Sequence, residues 1–72
     1  MRIGDKVNVT NAKGETSDCI LASDIYEKDM AQHFGNTEPL IMDFRKVYRF
    51  IKSRNKYAKT ATEYRAFQVT DK

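Results

Sequence analysis

Polar and apolar residues alternate at the start of the chain. The segment Lys6–Thr10 reads Lys-Val-Asn-Val-Thr, a pattern typical of a half-buried strand whose two valines face inward. Residues 11–14 follow as a turn, and Gly14 can supply the positive φ that a hairpin loop needs. A returning strand over residues 17–22 would place Cys19 or its neighbour against the valines. The pattern therefore predicts an N-terminal β-hairpin.

The spacing of apolar residues then changes from two to three and four, which predicts a helix over residues 24–34. Ser23 is suited to cap its N-terminus through the side-chain hydroxyl. Gly35 and Asn36 are suited to end the helix in the left-handed conformation. The apolar stripe of this helix comprises Ala22, Ile25, Tyr26, Met30 and Phe34.

A second helical pattern begins at Pro39, a residue that the first turn of a helix tolerates because it lacks a backbone N–H. It is expected to end at Asn55 or to continue through Lys59. At about 100° per residue its apolar positions fill one arc of roughly 120°. These positions are Leu40, Ile41, Phe44, Val47, Tyr48 and Ile51.

Residues 63–70 alternate again and carry β-branched and aromatic side chains, which favours a closing strand beside the hairpin. A helical continuation into residues 57–70 stays open as an alternative. The predicted fold class is α+β. A small antiparallel sheet, made of the N-terminal hairpin and the C-terminal strand, packs against two helices in a single domain over residues 1–72.

The size and composition exclude several classes of protein. A chain of 72 residues buries only about 60% of its unfolded surface, so a homodimer is expected to add stability. Cys19 and His33 are the only residues of their types, which leaves no internal disulfide and no Cys- or His-rich metal site. No apolar run has the length of a membrane span, and no signal peptide is apparent. A lone thiol favours the reducing cytoplasm.

The charge is divided unevenly along the chain. Residues 1–44 contain four basic and eight acidic side chains, a balance of −4, whereas residues 45–72 contain nine basic and two acidic ones, a balance of +7. The net charge of +3 thus conceals a strongly basic C-terminal segment. Such a concentrated positive charge attracts polyanions or acidic protein surfaces.

On the second predicted helix the basic residues fall opposite the apolar stripe, and the row continues beyond it. A polyanion along this row would release counterions at each neutralised phosphate, and flanking tyrosines such as Tyr57 and Tyr64 could stack on unpaired bases. The sequence therefore predicts non-enzymatic binding of DNA or RNA, although a solvated helix face would also be basic and polar. The predicted nucleic-acid contacts are Arg45, Lys46, Arg49, Lys52, Lys56 and Lys59, with Tyr57.

Two apolar residues, Met42 and Phe50, lie off the buried stripe of this helix. Interface cores favour aromatic residues, Met and Arg, so these two are candidate anchors of a protein contact. The alternative hypothesis is therefore a small regulator or inhibitor, of a phage or mobile-element type, that binds an acidic patch of a host protein.

Catalytic patterns are lacking. Neither His33 nor Cys19 has a partner at a spacing that suggests a nucleophile and its base. Ser53 and Lys56 fit the short Ser-x-x-Lys motif, but the rest of that enzyme signature is absent. The acidic residues over 24–29 do not form a metal-ligand pattern. We expect a protein that is not an enzyme and that has no cofactor.

Overall fold

The computed structural model describes all residues, 1–72, and 49% of them lie in strands. One α-helix of four residues, α1, covers Ala31–Phe34, and two 3₁₀ turns cover Lys52–Arg54 and Ala66–Gln68. The strands are β1 (Lys6–Thr10), β2 (Thr16–Leu21), β3 (Tyr26–Asp29), β4 (Ile41–Ile51), β5 (Lys56–Tyr57), β6 (Thr62–Arg65) and β7 (Val69–Asp71).

The strands form one curled, antiparallel half-barrel. Along the sheet the order is β3-β4-β2-β1-β7, and β5 and β6 also pair with β4. The central strand β4 thus contacts four others, whereas β3 and β7 lie at edges of the sheet. The long strand contributes to an elongated molecule, whose principal extents are 44 × 24 × 21 Å.

The predicted α+β fold with two helices packed on a sheet is wrong. Within the first predicted helix, residues 24–34, the segment Tyr26–Asp29 forms β3 and only Ala31–Phe34 is helical. Ser23 does not cap a helix. Its hydroxyl oxygen instead accepts a hydrogen bond from the backbone N–H of Lys46, at 2.8 Å. The tertiary pairing of β3 with β4 prevails over a local helical spacing.

The second predicted helix is also wrong, because residues 41–51 form the eleven-residue strand β4. Its even positions read Met-Phe-Lys-Tyr-Phe and form one face of the strand. Phe44 is buried on that face and Val47 is buried on the other, since successive side chains point to opposite sides. Apolar residues three apart therefore reflect burial on two faces of a strand, not one stripe of a helix.

The predictions for the hairpin and its turns are confirmed. β1 has the predicted bounds, and Cys19 lies directly opposite Val7 in its antiparallel register with β2. Gly14 has φ 85°, which suits the hairpin loop. Gly35 ends α1 in the left-handed conformation with φ 70°. The single closing strand predicted over residues 63–70 is instead divided between β6, which pairs with β4, a 3₁₀ turn, and β7, and of these strands only β7 pairs with β1 of the hairpin.

The core lies on the concave face of the half-barrel and is small. Six buried residues from the strands β1, β2, β4 and β7 pack together there, and Tyr64 of β6 packs against them. These residues are Val7, Val9, Cys19, Leu21, Val47 and Val69. The side chains of paired residues share a face, so the odd positions of β4 form its inner face and the even positions form its outer face.

Leu21→Ala should lower the free energy of unfolding by about 2–5 kcal/mol, because it leaves a cavity in this core. Leu21 is 0% exposed, whereas the control residue Ile3 is 59% exposed. Ile3→Ala should change stability by less than about 0.5 kcal/mol. Urea denaturation measures both variants. Equal losses would contradict this core.

Candidate functional site

Residues 49–59 form a basic hairpin at one end of β4, called here the basic arm. Phe50 pairs with Tyr57 and Ile51 pairs with Lys56, and the backbone N–H of Ala58 donates to the carbonyl of Arg49 at 2.8 Å. Asn55, with φ 51°, ends the 3₁₀ turn at the tip. Left-handed backbone is uncommon outside glycine, and asparagine is one of the residues that adopts it most readily.

The basic arm contains five cationic side chains and no acidic one: Arg49, Lys52, Arg54, Lys56 and Lys59. All five are exposed. The ion pairs of the molecule are Lys28 with Glu63 and Lys72 with Asp18, so none of the five is neutralised by a contact. Asp18 lies beside the arm, in a groove that Arg49 and Lys52 also line, but its carboxylate is engaged by Lys72.

The predicted nucleic-acid residues do not all lie on the basic arm. Arg49, Lys52, Lys56, Lys59 and Tyr57 lie together on the basic arm. Arg45 and Lys46 lie nearer the middle of β4, where they pair with Tyr64 and Glu63 of β6. Strand alternation places Arg45 with Arg49 on the inner face but Lys46 on the outer face. A single helical row of cations does not exist.

Arg54 belongs to the basic arm but was not among the predicted contacts. On a helix of 3.6 residues per turn it falls away from the other cations. The run of basic residues across a turn, with Asn55 at its end, is the sequence signal for it, since Asn is favoured where a turn needs left-handed backbone.

An aromatic pair lies at the base of the basic arm. The rings of Phe50 and Tyr57 meet edge to face, with their centroids 5.1 Å apart, a favoured geometry for aromatic pairs. Phe50 remains 36% exposed and Tyr57 is half-buried. An open groove of about 290 Å³ runs beside Tyr57, lined by Ile51, Arg54, Lys56, Tyr57, Ala58, Lys59 and Thr60. The arm thus offers cations and aromatic surface together.

The two candidate protein anchors are far apart. Met42 and Phe50 both lie on the outer face of β4, but they are separated by eight positions, or about 26 Å along a strand. Met42 is half-buried and pairs with Lys28. They do not form one apolar patch.

A cluster of aromatic rings and charges covers the outer face of β3, β4 and β6. The rings of Tyr26 and Phe44 stack with centroids 6.1 Å apart. The guanidinium of Arg65 lies 5.9 Å from the ring of Phe44 and 5.2 Å from that of Phe67. Lys28 lies 5.3 Å from the Phe44 ring. Such cation–π contacts bury Phe44 on a face that lacks a hydrophobic core.

The carboxylate of Glu63 on β6 connects two members of this cluster on β3, Tyr26 and Lys28. Its carboxylate accepts hydrogen bonds from the Tyr26 hydroxyl and from Lys28 Nζ, the latter at 3.2 Å. The bond from Tyr26 is the main cause that holds the pKa of Glu63 below its ordinary value. Burial, and then the same hydrogen bond, raise the pKa of Tyr26 to about 12. The pair therefore serves the fold of the outer face.

Among the acidic residues over 24–29, Asp29 has backbone partners in the structure. The structure contains no group of three or more His, Cys, Asp or Glu side chains arranged to hold a metal ion. Asp29 instead accepts hydrogen bonds from the backbone N–H groups of Ala31 and Leu40, which lower its pKa. Cys19 is buried, and burial raises the pKa of its thiol, as expected of a packing residue.

Comparison of the chain with protein-family models, with curated proteins and with solved structures found no match. None of its helices is sufficiently long and apolar to cross a membrane.

Tyr26→Phe should weaken the pH dependence of stability in acid. The pKa of Glu63 is lower in the folded than in the unfolded chain. Its stabilising effect is therefore complete above the ordinary value of 4.5 and is lost as the pH falls through the folded pKa. Removal of the hydroxyl raises that pKa, so the variant should lose less stability than the wild type between about pH 7 and about pH 3.

Urea denaturation at the two pH values measures this difference. Tyr48→Phe is the matched control, because it also removes a tyrosine hydroxyl, here from β4, but one that makes no hydrogen bond with Glu63. A Tyr26→Phe chain that loses as much stability in acid as the wild type would contradict the assigned role of the hydrogen bond.

Proposed function

We propose that this protein is a non-enzymatic nucleic-acid-binding protein whose basic arm contacts the phosphates of DNA or RNA. The observation that carries the proposal is the presence of five exposed cations within eleven residues, without an ion pair among them. Cations that already form ion pairs must lose a partner before they bind a phosphate. Cations without an ion-pair partner contribute directly to the affinity for nucleic acid, because their binding to phosphates releases counterions.

The shape of the basic arm supports the same function. Its two strands lie about 4.8 Å apart, so the hairpin is narrow enough to follow a nucleic-acid groove or backbone. Lys52 and Arg54 lie in the turn at the tip, and Lys56 and Lys59 follow on the returning side. Charges therefore surround the tip instead of covering one flat face.

The aromatic pair of Phe50 and Tyr57 adds a second kind of contact. Base–aromatic stacking is tolerant of sequence and combines with a positive groove in proteins that bind single strands. The open groove beside Tyr57 is bordered by Arg54, Lys56 and Lys59, so a phosphate and an adjacent base can be held at once.

The alternative is the regulator that docks on an acidic protein surface. Of its two candidate anchors, Met42 or Phe50, only Phe50 lies on the basic arm, because Met42 is about 26 Å away along β4. A protein contact through the basic arm would therefore have one partly exposed apolar anchor. Nucleic acid is therefore the partner that the basic arm supports better. We place the protein in the cytoplasm, as the unpaired Cys19 thiol suggests.

A triple variant with Lys52→Gln, Arg54→Gln and Lys56→Gln should bind nucleic acid much less tightly than the wild type. Each lost phosphate contact lowers the slope of log affinity against log salt by about 0.7–0.9. The three changes together should thus lower the slope by about 2–3. Fluorescence anisotropy with labelled single-stranded and duplex oligonucleotides, over a series of salt concentrations, measures both quantities.

The matched control removes three cations from the other end of the chain, with Arg2→Gln, Lys6→Gln and Lys13→Gln. It has the same net charge as the first variant, so only the position of the charges differs. Equal slopes for the two variants, or no binding by the wild type at low salt, would exclude the basic arm as the nucleic-acid contact. Binding of a protein from nuclease-treated lysate would then favour the regulator.

Tyr57→Ala should lower the affinity for single-stranded oligonucleotides by about 5- to 150-fold, which corresponds to the loss of one stacked base at 1–3 kcal/mol. The salt slope should stay unchanged, because no cation is removed. Tyr57→Phe keeps the ring and should bind like the wild type. If both variants bind as the wild type does, Tyr57 does not stack on a base.

A further inference from the structure

The aromatic residues of the sheet lie mostly on its outer face, away from the core. The buried cluster on the inner face consists of valine, leucine and cysteine side chains, and Tyr64 is the one aromatic residue packed against it. Register and alternation place the other aromatic residues of the strands on the outer face. These residues are Tyr26, Phe44, Tyr48, Phe50 and Tyr57. Aromatic side chains usually dominate the energetics of a core, so packing of the core does not account for this arrangement.

Three of these rings remain accessible to a ligand: Tyr48, Phe50 and Tyr57, called here the aromatic row. Phe44 is buried, and Tyr26 is engaged by its stacking on Phe44 and by its hydrogen bond. Tyr48 and Phe50 are two positions apart on the outer face of β4, and Tyr57 lies directly opposite Phe50. Each of the three is at least partly exposed. The aromatic row therefore continues the aromatic pair of the basic arm toward the middle of β4.

The spacing of the aromatic row suits an unpaired strand of nucleic acid. Tyr48 and Phe50 are about 7 Å apart along β4, which is twice the spacing of about 3.4 Å between successive charges along one strand of a duplex. Bases that stack on these two rings must therefore be separated from each other. Extraction of a base from a duplex costs free energy that a single strand largely avoids, so a single strand is the form that can occupy both rings.

The charges of the outer face suit an anionic ligand. The strands place two carboxylates on this face, those of Asp18 and Glu63, and each already forms an ion pair. Lys46 lies on the same face of β4, two positions from Tyr48. It is exposed, and the ion pairs of the molecule do not involve it. A phosphate beside the aromatic row would thus meet a cation and no unpaired carboxylate of the strands.

The inner face has the opposite electrostatic character. Glu27 lies directly opposite Asp43 in the antiparallel register of β3 with β4, and Asp71 of β7 shares the inner face through its pairing with Val7. All three carboxylates are exposed, and none forms an ion pair. They repel a phosphate backbone, so the outer face is the side of the sheet that a nucleic acid can approach.

We propose that the outer face of β4 binds single-stranded nucleic acid. Successive bases stack on Tyr48 and on the pair of Phe50 and Tyr57, and Lys46 contacts a phosphate. This inference rests on the function proposed for the basic arm, and it adds the surface on which the strand lies beyond the arm. A protein partner fits this surface less well, because lysine is depleted at protein interfaces and Lys46 lies in line with the rings.

Tyr48→Leu tests this surface, because leucine keeps an apolar side chain beside Ile20 but removes the ring. It should lower the affinity for a single-stranded oligonucleotide by about 5- to 150-fold, through the loss of one stacked base. Its affinity for a duplex of the same sequence should equal that of the wild type, because the basic arm is unchanged. Fluorescence anisotropy measures both affinities.

Two variants are the controls. Tyr48→Phe keeps the ring and should bind like the wild type. Phe34→Leu removes an exposed ring from α1, outside the sheet, and should also bind like the wild type. Circular dichroism checks that each variant folds. If Tyr48→Leu does not fold, ultraviolet cross-linking of the wild type to an oligothymidine, followed by mass spectrometry, locates the contact, and the cross-links should include Tyr48.

The outcomes separate this inference from the function of the basic arm. Unchanged single-strand affinity in Tyr48→Leu, or cross-links confined to residues 49–59, would overturn the outer-face contact and leave the function of the arm intact. The absence of any oligonucleotide binding at low salt would overturn both. If analytical ultracentrifugation finds a wild-type dimer that Tyr48→Leu dissociates, with single-strand affinity unchanged, the outer face binds a second copy instead.

Discussion

The backbone hydrogen bonding of β4 is the constraint on which the rest of the structure depends. This strand pairs with β2 and β3 along one edge and with β5 and β6 along the other. A slip of one residue would reverse every side chain between the two faces of the strand. Pairing along both edges of β4 fixes the register against such a slip. The fixed register places Val47 in the core and Phe44 under the aromatic cluster. The position of the basic arm at one end of β4 follows from it.

The sequence predicted the N-terminal hairpin because a single face of that hairpin is buried, and a single buried face produces regular alternation. The sequence pattern wrongly predicted a helix at β4, because both faces of this strand bury a residue. Phe44 on one face and Val47 on the other are three residues apart, as on a helix. The regular apolar series at even positions, interrupted by Lys46 alone, was the signal that favoured a strand. The content of β-branched and aromatic residues agreed with it.

The candidate surface was only partly predictable for the same reason. Clustering of basic residues from position 45 onward is visible in the sequence. Acidic residues are scarce there, and Lys72 is the one basic residue of this segment that forms an ion pair. Which cations share a surface depends on secondary structure. A period of two separates Lys46 from Arg45 and Arg49, and a turn brings Arg54 beside Lys56. The opposition of Glu27 and Asp43 depends on long-range register, which local patterns do not specify.

The edge strand β3 has a consequence for the solubility of the protein. One side of β3 pairs with β4, and the other side carries no strand. Unpaired strand edges can template the addition of further chains and lead to fibres. Three consecutive charged residues, 27–29, occupy this edge, and charged side chains are one means by which natural sheets prevent such growth. The charges of residues 27–29 therefore protect this edge of the sheet against amyloid-like stacking.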